Sequence, residues 1–296
     1  MELSVSGLRL FRPWAEYIIG YRLVKLVRRL RVSKFGDPTA KLTKQDLTPG
    51  EKIILALDTS SKATSLAVER GTRLLSSIDR PPGEKRSESL WTDVQSLLAD
   101  LGLTINDIDV FAVCVGPGGF TGLRVGIAAV KGFSAATNKP IIGVTSLEAT
   151  AFAASPGDFV CAMVNAYKGE VYSQLFSFDG EGVPLAQNAP MVSSFEEALD
   201  RTADMNEVVF AGDGAEAGEQ VIRNFGEARD KRKWAIKQSD QGLAAAIAGL
   251  AFLKNARGEA NNAETVRACY VRPSEAEIKL SLGLLGSKIK RSMKSE

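Results

Sequence analysis

At 296 residues, 45% apolar and 24% charged, the chain has the composition of a soluble globular protein, with length for roughly two domains of about 100 to 200 residues. It contains no histidine, which excludes Ser-His and Cys-His nucleophile pairs, H-E-x-x-H zinc sites and histidine metal dyads, and leaves carboxylate-only magnesium sites or Asp/Glu acid–base pairs. Its three cysteines, Cys114, Cys161 and Cys269, are odd in number and far apart, so neither a disulfide framework nor a C-x-x-C pair is expected, and a reducing cytoplasm fits them.

The net charge of +2 conceals an asymmetry. Residues 1–50 carry ten Lys/Arg and four Asp/Glu, which leaves 27 basic against 31 acidic residues in the remainder. The body is mildly acidic, so direct nucleic-acid binding by it is not expected. Residues 14–30 are rich in Leu, Val, Ile, Tyr and Trp, with Arg22, Lys25 and Arg29 at helical spacing, a pattern that predicts a basic amphipathic helix. The charge-free stretch between Glu16 and Arg22 is far short of the about 20 apolar residues a bilayer span needs, and no secretory signal is present. Three readings are open: a helix on a membrane surface or anionic partner, a helix packed on the body or a partner, or upstream sequence included by a misplaced start. Residues 33–52 read as a polar linker.

From Lys52 the pattern changes. "KIILALDTS" reads as a buried strand ending at Asp58-Thr59-Ser60, and "ATSLAVERGTRLLSSIDR" as two more strands, so three antiparallel strands in succession are expected. "SESLWTDVQSLLADLG" predicts a helix whose apolar stripe is Leu90, Val94, Leu97, Leu98 and Leu101. Thr104 and Asp107 have capping-box spacing for a short turn. "VFAVCVG" is a continuous apolar strand, to be covered on both faces, followed by a helix over about 121–136 and then by a strand and capped helix in "PIIGVTSLEATAFAA". These alternations indicate an α/β layered domain. The second half repeats the theme less clearly: strands turning near Lys168-Gly169, a strand ending in Gly212-Asp213-Gly214, and an apolar helix in "GLAAAIAGLAFLKNARG".

The loop "VCVGPGGFTGLRVG" resembles a phosphate cradle but fails both fingerprints. Leu123 and Arg124 follow Gly122 where a P-loop needs lysine and a hydroxyl, and the third glycine comes one residue late for G-x-G-x-x-G. An anion at the backbone of Gly116–Gly119 is one remaining reading. The other is structural: Gly122, Gly126 and Ala129 or Val130 form a smooth helix face for close approach inside the domain or against a second protein. Asp58, Thr59 and Ser60 stand where nucleotide-binding folds of the actin and sugar-kinase type hold phosphate or metal. Gly212 and Gly214 stand at an adenosine-side loop. Both are weak candidates, and an ordinary turn explains each.

Taken in order and spacing, "ILALDTSSKATSLAV", "GPGGFTGLRVGIAAVKGFS", "PIIGVTSLEA", "NAYKGEVY" and "ACYVR" resemble the bacterial TsaB (YeaZ) family over about residues 52–280. The resemblance implies an actin-like (ASKHA, ribonuclease H-like) α/β fold of two related lobes. The expected organisation is a basic extension and linker at 1–51, an N-terminal lobe at 52–155, a C-terminal lobe at 156–280 and a basic tail at 281–296. It further implies a non-catalytic cytoplasmic subunit that serves N6-threonylcarbamoyladenosine synthesis in tRNA. Such a subunit pairs with a TsaD-like transferase, meets a TsaE-like ATPase in a larger complex, forms a homodimer when alone and reaches tRNA only indirectly. ATP and metal are then expected on the TsaD partner, with no catalytic, metal or cofactor residue of its own.

By the family pattern, the interface would comprise Gly116, Gly118, Phe120, Thr121, Gly122, Arg124, Val125, Gly126 and Ala129, with Leu90, Val94 and Leu97 from the preceding helix. The chain departs from the pattern at Arg86, Gly119, Asn165 and Tyr167. Alternatives are a stand-alone M22-type peptidase or hydrolase, against which the missing histidines argue, and an ASKHA ATPase built on Asp58.

Overall fold

The structure, a computed structural model, describes residues 51–61, 63–81, 86–154, 159–230, 233–237 and 242–272, with side chains of 86–88 excepted. The expected helix at 14–30, the linker as far as residue 50 and the tail at 281–296 lie outside the described residues. The first sheet contains β1 (Ile53–Asp58), β2 (Thr64–Arg70), β3 (Arg73–Arg80), β4 (Val110–Gly116) and β5 (Ile141–Thr145) in the order β3-β2-β1-β4-β5. β1, β2 and β3 are successively antiparallel, as the sequence suggests, and β4 and β5 join in parallel.

The second sheet repeats this plan. It is built from β6 (Val160–Tyr167), β7 (Glu170–Phe178), β8 (Pro184–Ala186), β10 (Glu207–Ala211) and β11 (Lys233–Lys237), with β9 (Met191–Ser194) also paired to β7. Read as β8-β7-β6-β10-β11, its order matches that of the first sheet, with the same antiparallel start and parallel finish. Two copies of one five-stranded topology make the two-lobed actin-like fold.

The central strands are apolar throughout because both faces are covered. Leu55, Leu57, Phe111 and Val113 point to one side, where α1 (Arg86–Asp100) and α2 (Phe120–Thr137) supply Leu90, Val94, Leu97, Ile127 and Val130. Ile54, Ala56, Ala112 and Cys114 alternate to the other side. Thr104 caps a 3-10 turn at Ile105–Asp107 through the expected reciprocal box. No helix among the described residues is long and apolar enough to cross a membrane.

The expected lobe boundaries need correction at both ends. α3 (Ser146–Ala154) precedes residue 155 and lies between the sheets: Ala149 and Phe152 join the core of the first, while Leu147, Ala151 and Ala154 pack on Val160, Ala162, Phe176 and Ala211 of the second. Conversely, α7 (Ala244–Ala256) lies in the sequence range assigned to the second lobe but places Ala244, Ile247, Ala248 and Leu250 against Ile54, Ala56 and Ala112 of the first. Burial explains the exchange, because α1 and α2 occupy only one face of the first sheet and the other is equally apolar. The Ala244 N–H donates to Ser65 Oγ at 3.0 Å as the chain re-enters the first lobe. The second lobe's own helices, α4 (Phe195–Asp200), α5 (Asp213–Ala217) and α6 (Glu219–Ala228), surround a core of Phe210, Leu199 and Ile222.

Candidate functional site

The ends of β1, at Asp58, and of β10, just before Asp213, face one another between the lobes, near enough for the two carboxylates to repel, and the space between these ends is the interlobe cleft. On the first-lobe side, the β1 end and the β4–α2 loop are bound to each other. Asp58 Oδ1 accepts the Ser60 N–H at 2.8 Å, Thr59 Oγ1 donates to the Gly122 carbonyl at 2.7 Å, and the Ser60 carbonyl accepts the Gly119 N–H at 2.6 Å. Ser146 Oγ donates to the Pro117 carbonyl at 2.6 Å. The named polar groups of Asp58, Thr59 and Ser60 thus have partners within the lobe, and all three residues are buried. Burial pushes the Asp58 carboxyl up despite the Ser60 hydrogen bonds, and it pushes the neighbouring Cys114 thiol up as well, with repulsion from Asp58 adding to the effect.

The smooth face of α2 points inward. A Cβ on Gly126 would stand 2.4 Å from Thr59 Oγ1, and one on Gly118 would stand 2.5 Å from the Ser60 carbonyl oxygen. Gly116, Gly122 and Gly126 are buried, as are Leu90, Val94 and Leu97, each at 4% exposure or less. These positions of the expected interface therefore belong to the lobe's own core, because the helices spend their apolar stripes on the sheet beneath them. Gly119 stands at the N-cap of α2 and supplies no side-chain cap.

On the second-lobe side, Gly212 adopts φ 101° and lies against β6 so closely that a Cβ would meet the Met163 carbonyl oxygen at 2.3 Å. Gly214 is equally crowded, 2.7 Å from Val171 Cγ2. Both glycines serve the seating of α5 on β6. Between them, Asp213 accepts the Asn165 N–H at 2.9 Å, and Asn165 Oδ1 accepts the Tyr167 N–H at 2.8 Å. Tyr167 and Lys168 take φ 61° and 57°, unusual for side-chain-bearing residues, so the β6–β7 hairpin tip is held in a left-handed turn. Asp213 keeps its outer edge in solvent, but protein crowds its inner side, and this desolvation raises its pKa.

The Asp213 charge contributes a smaller repulsion at Asp58. A folded pKa above the unfolded value of about 3.9 means that native Asp58 binds its proton more tightly than the unfolded chain, so stability falls as pH rises through and above that value. Asp58→Asn is therefore expected to gain stability relative to wild type between about pH 4 and pH 7, with its carbonyl still accepting the Ser60 N–H. Denaturant midpoints at the two pH values check this, and a difference independent of pH would contradict it.

The outer surfaces of α1 and α2 retain part of the expected interface. Thr121 and Arg124 are exposed, and Phe120, Val125 and Ala129 are half-buried at its edge. The Arg124 guanidinium lies 3.8 Å from the Phe120 ring centroid and its Nε is 3.3 Å from the Tyr270 hydroxyl, while Phe120 and Tyr270 rings are 5.0 Å apart. Trp91 is 49% exposed and meets Phe133 at 5.6 Å. Sequence reasoning missed Trp91, Phe133 and Tyr270. Trp91 was discoverable, since it falls off the Leu90/Val94/Leu97 stripe of its own helix.

Comparison with known proteins follows the same lines. The family model for TsaD, tRNA N6-adenosine threonylcarbamoyltransferase, matches residues 83–280. The tRNA threonylcarbamoyladenosine biosynthesis protein TsaB of Escherichia coli K12 is 30% identical over 177 residues, covering 58% of this chain and 76% of that protein. TsaB of Bacillus subtilis 168 is 27% identical over 175 residues, covering 58% and 75%. A Pseudomonas aeruginosa crystal structure, described as an uncharacterized protein with similarity to peptidase YeaZ, superposes with a TM-score of 0.63 at 28% identity over 75% of this chain and 100% of that one. The chain belongs to the TsaB (YeaZ) family of tRNA threonylcarbamoyladenosine biosynthesis proteins, within the wider family whose model is that of TsaD.

Proposed function

We propose that this chain is a non-catalytic subunit that docks a TsaD-like transferase on the outer face of α1 and α2 and supports its modification of tRNA. The observation that carries the reading is the character of that face. The exposed positions Trp91, Thr92, Gln95, Ser96 and Ala99 on α1, and Thr121, Ala128, Gly132 and Ala135 on α2, bear no charge, leaving Asp100 at the end of α1 and Arg124 on α2 as the exposed charges among the described side chains of the two helices, and Trp91 and Phe133 provide an aromatic anchor. Charge depletion around buried aromatics is the composition of an interface core. Family membership supports the choice of partner. ATP and metal are assigned to that partner, with a TsaE-like ATPase in the larger complex and a homodimer through the same face when the partner is absent.

The M22-type peptidase and ASKHA ATPase readings have less support. No cluster of three or more metal-ligating side chains occurs among the described residues, and the named polar groups of Asp58, Thr59 and Ser60 are hydrogen-bonded inside the lobe. Reconstitution is the test. The chain, a TsaD-like transferase, a TsaE-like ATPase and tRNA should yield the modified nucleoside, with little formed when this chain is omitted and none by this chain alone. Equal activity without it, or modification by the isolated chain, would overturn the proposal.

A further inference from the structure

The chain after α7 runs along the first lobe. Asn261 and Ile141 exchange backbone hydrogen bonds of 2.8 and 2.7 Å, Val266 is buried in the core beneath α1 and α2, and the Cys269 N–H donates to the Val115 carbonyl at 2.7 Å. The Cys269 carbonyl oxygen presses on the β4–α2 loop, within 2.9 Å of where a Cβ on Gly116 would stand. Tyr270 then packs its ring against that of Phe120, tilted by 31°. Two residues later, Arg272 pairs with Glu170, the first residue of β7 in the second lobe. The other end of β7 is tied as well, since Arg257, just past α7, pairs with Asp179 at 2.7 Å and with Glu181. Both ends of one second-lobe strand are thus pinned by chain that packs on the first lobe.

We propose that residues 266–272 form a strap across the mouth of the interlobe cleft, with the Arg272–Glu170 pair as its clasp. The anchor is Cys269 and Tyr270 on the first lobe. The clasp holds the left-handed Tyr167–Gly169 hairpin and the Asp213 loop, joined through Asn165, opposite the Asp58–Gly119 loops. Releasing the clasp leaves β7 tied to the first-lobe chain at its Arg257 end, where α3 also packs between the sheets, so the cleft end of the second lobe gains freedom to move away from the first. The pair is about one-third exposed on each side, and a pair of that kind shifts an equilibrium by no more than about fivefold.

Amide hydrogen exchange on the full chain tests the strap. Arg272→Gln and Glu170→Gln should each raise exchange about three- to fivefold in both cleft segments, 116–123 and 165–171. The charge-reversed double variant E170R/R272E should restore wild-type protection. Molar salt should bring wild type close to the single variants, since it screens a half-exposed pair. Tyr270→Ala should reproduce the effect from the anchor side, whereas Arg257→Gln should loosen 179–185 and leave the cleft segments protected. Unchanged protection in both single variants, or a rise confined to the residues beside Glu170 with 116–123 unmoved, would overturn the inference.

Discussion

Ala128→Arg is expected to weaken association with a TsaD-like partner by at least about a hundredfold while leaving the isolated chain as stable as wild type. Ala128 is exposed on α2, between the half-buried Val125 and exposed Gly132 on neighbouring turns. Substitutions at such positions change stability by roughly half a kcal/mol or less. In a docked complex the same side chain would carry a desolvated charge beside the like-charged Arg124 one turn away and with no acidic partner on α2, at a cost of about 3 kcal/mol or more, and each 1.4 kcal/mol is tenfold in affinity. Trp91→Ala should act in the same direction through lost burial of an anchor. Titration calorimetry with the partner, alongside thermal melts of each variant alone, separates the two effects. Normal affinity in both variants would place the docking face elsewhere.

Gly126 should respond in the opposite way, losing stability in the isolated chain. Glycine to alanine in an open helix position gains roughly 1 kcal/mol from propensity. Here the new Cβ would stand 2.4 Å from Thr59 Oγ1, whose hydroxyl is committed to the Gly122 carbonyl. Rotating Thr59 aside forfeits that hydrogen bond, worth about 1 kcal/mol, and keeping it overpacks the site. Gly126→Ala is therefore expected to destabilise by about 1 to 2 kcal/mol, and Gly126→Leu by about 3 kcal/mol or more. In a Thr59→Ala background the obstructing oxygen is gone and the nearest neighbour, Val113 Cγ2 at 3.5 Å, is an ordinary contact. There Gly126→Ala should become neutral or stabilising. A double-mutant cycle from denaturant midpoints reads the coupling, and simple additivity would mean that the helix does not rest on Thr59.

The elements that the sequence specifies most clearly are those whose periodicity is set by burial. "IILALD" and "VFAVCVG" are buried end to end, and the strand-and-helix order of the first lobe follows from them. The short elements of the second lobe were harder to foresee. β8 has three residues and β9 four, too few for an alternation, although Ser194 with Glu197 three residues on is a legible start to α4, and the Glu197 N–H does donate to Ser194 Oγ. The partner face was half legible for a different reason. Composition marks Gly122 and Gly126 as suited to close approach, but close approach to β1 and to another protein require the same residues. Only the position of Thr59 in space distinguishes them. The strap was out of reach altogether, since nothing local to "ACYVR" tells that its arginine meets a glutamate 102 residues earlier.

The exchange of α3 and α7 between the lobes also bears on how the chain emerges from the ribosome. The first sheet is complete in sequence by residue 145, yet the side formed by Ile54, Ala56, Ala112 and Cys114 is covered only in part, by Leu123, Ala149 and Phe152, until residues 244–256 have been synthesised. During that interval of about a hundred residues, a flat apolar surface is open to chaperones or to other nascent chains. A polypeptide stopped anywhere before α7 would keep that surface permanently. Nonsense and frameshift changes late in the gene should therefore produce aggregation and proteolysis rather than a working N-terminal fragment, although the helices proposed to dock the partner lie entirely within the first half.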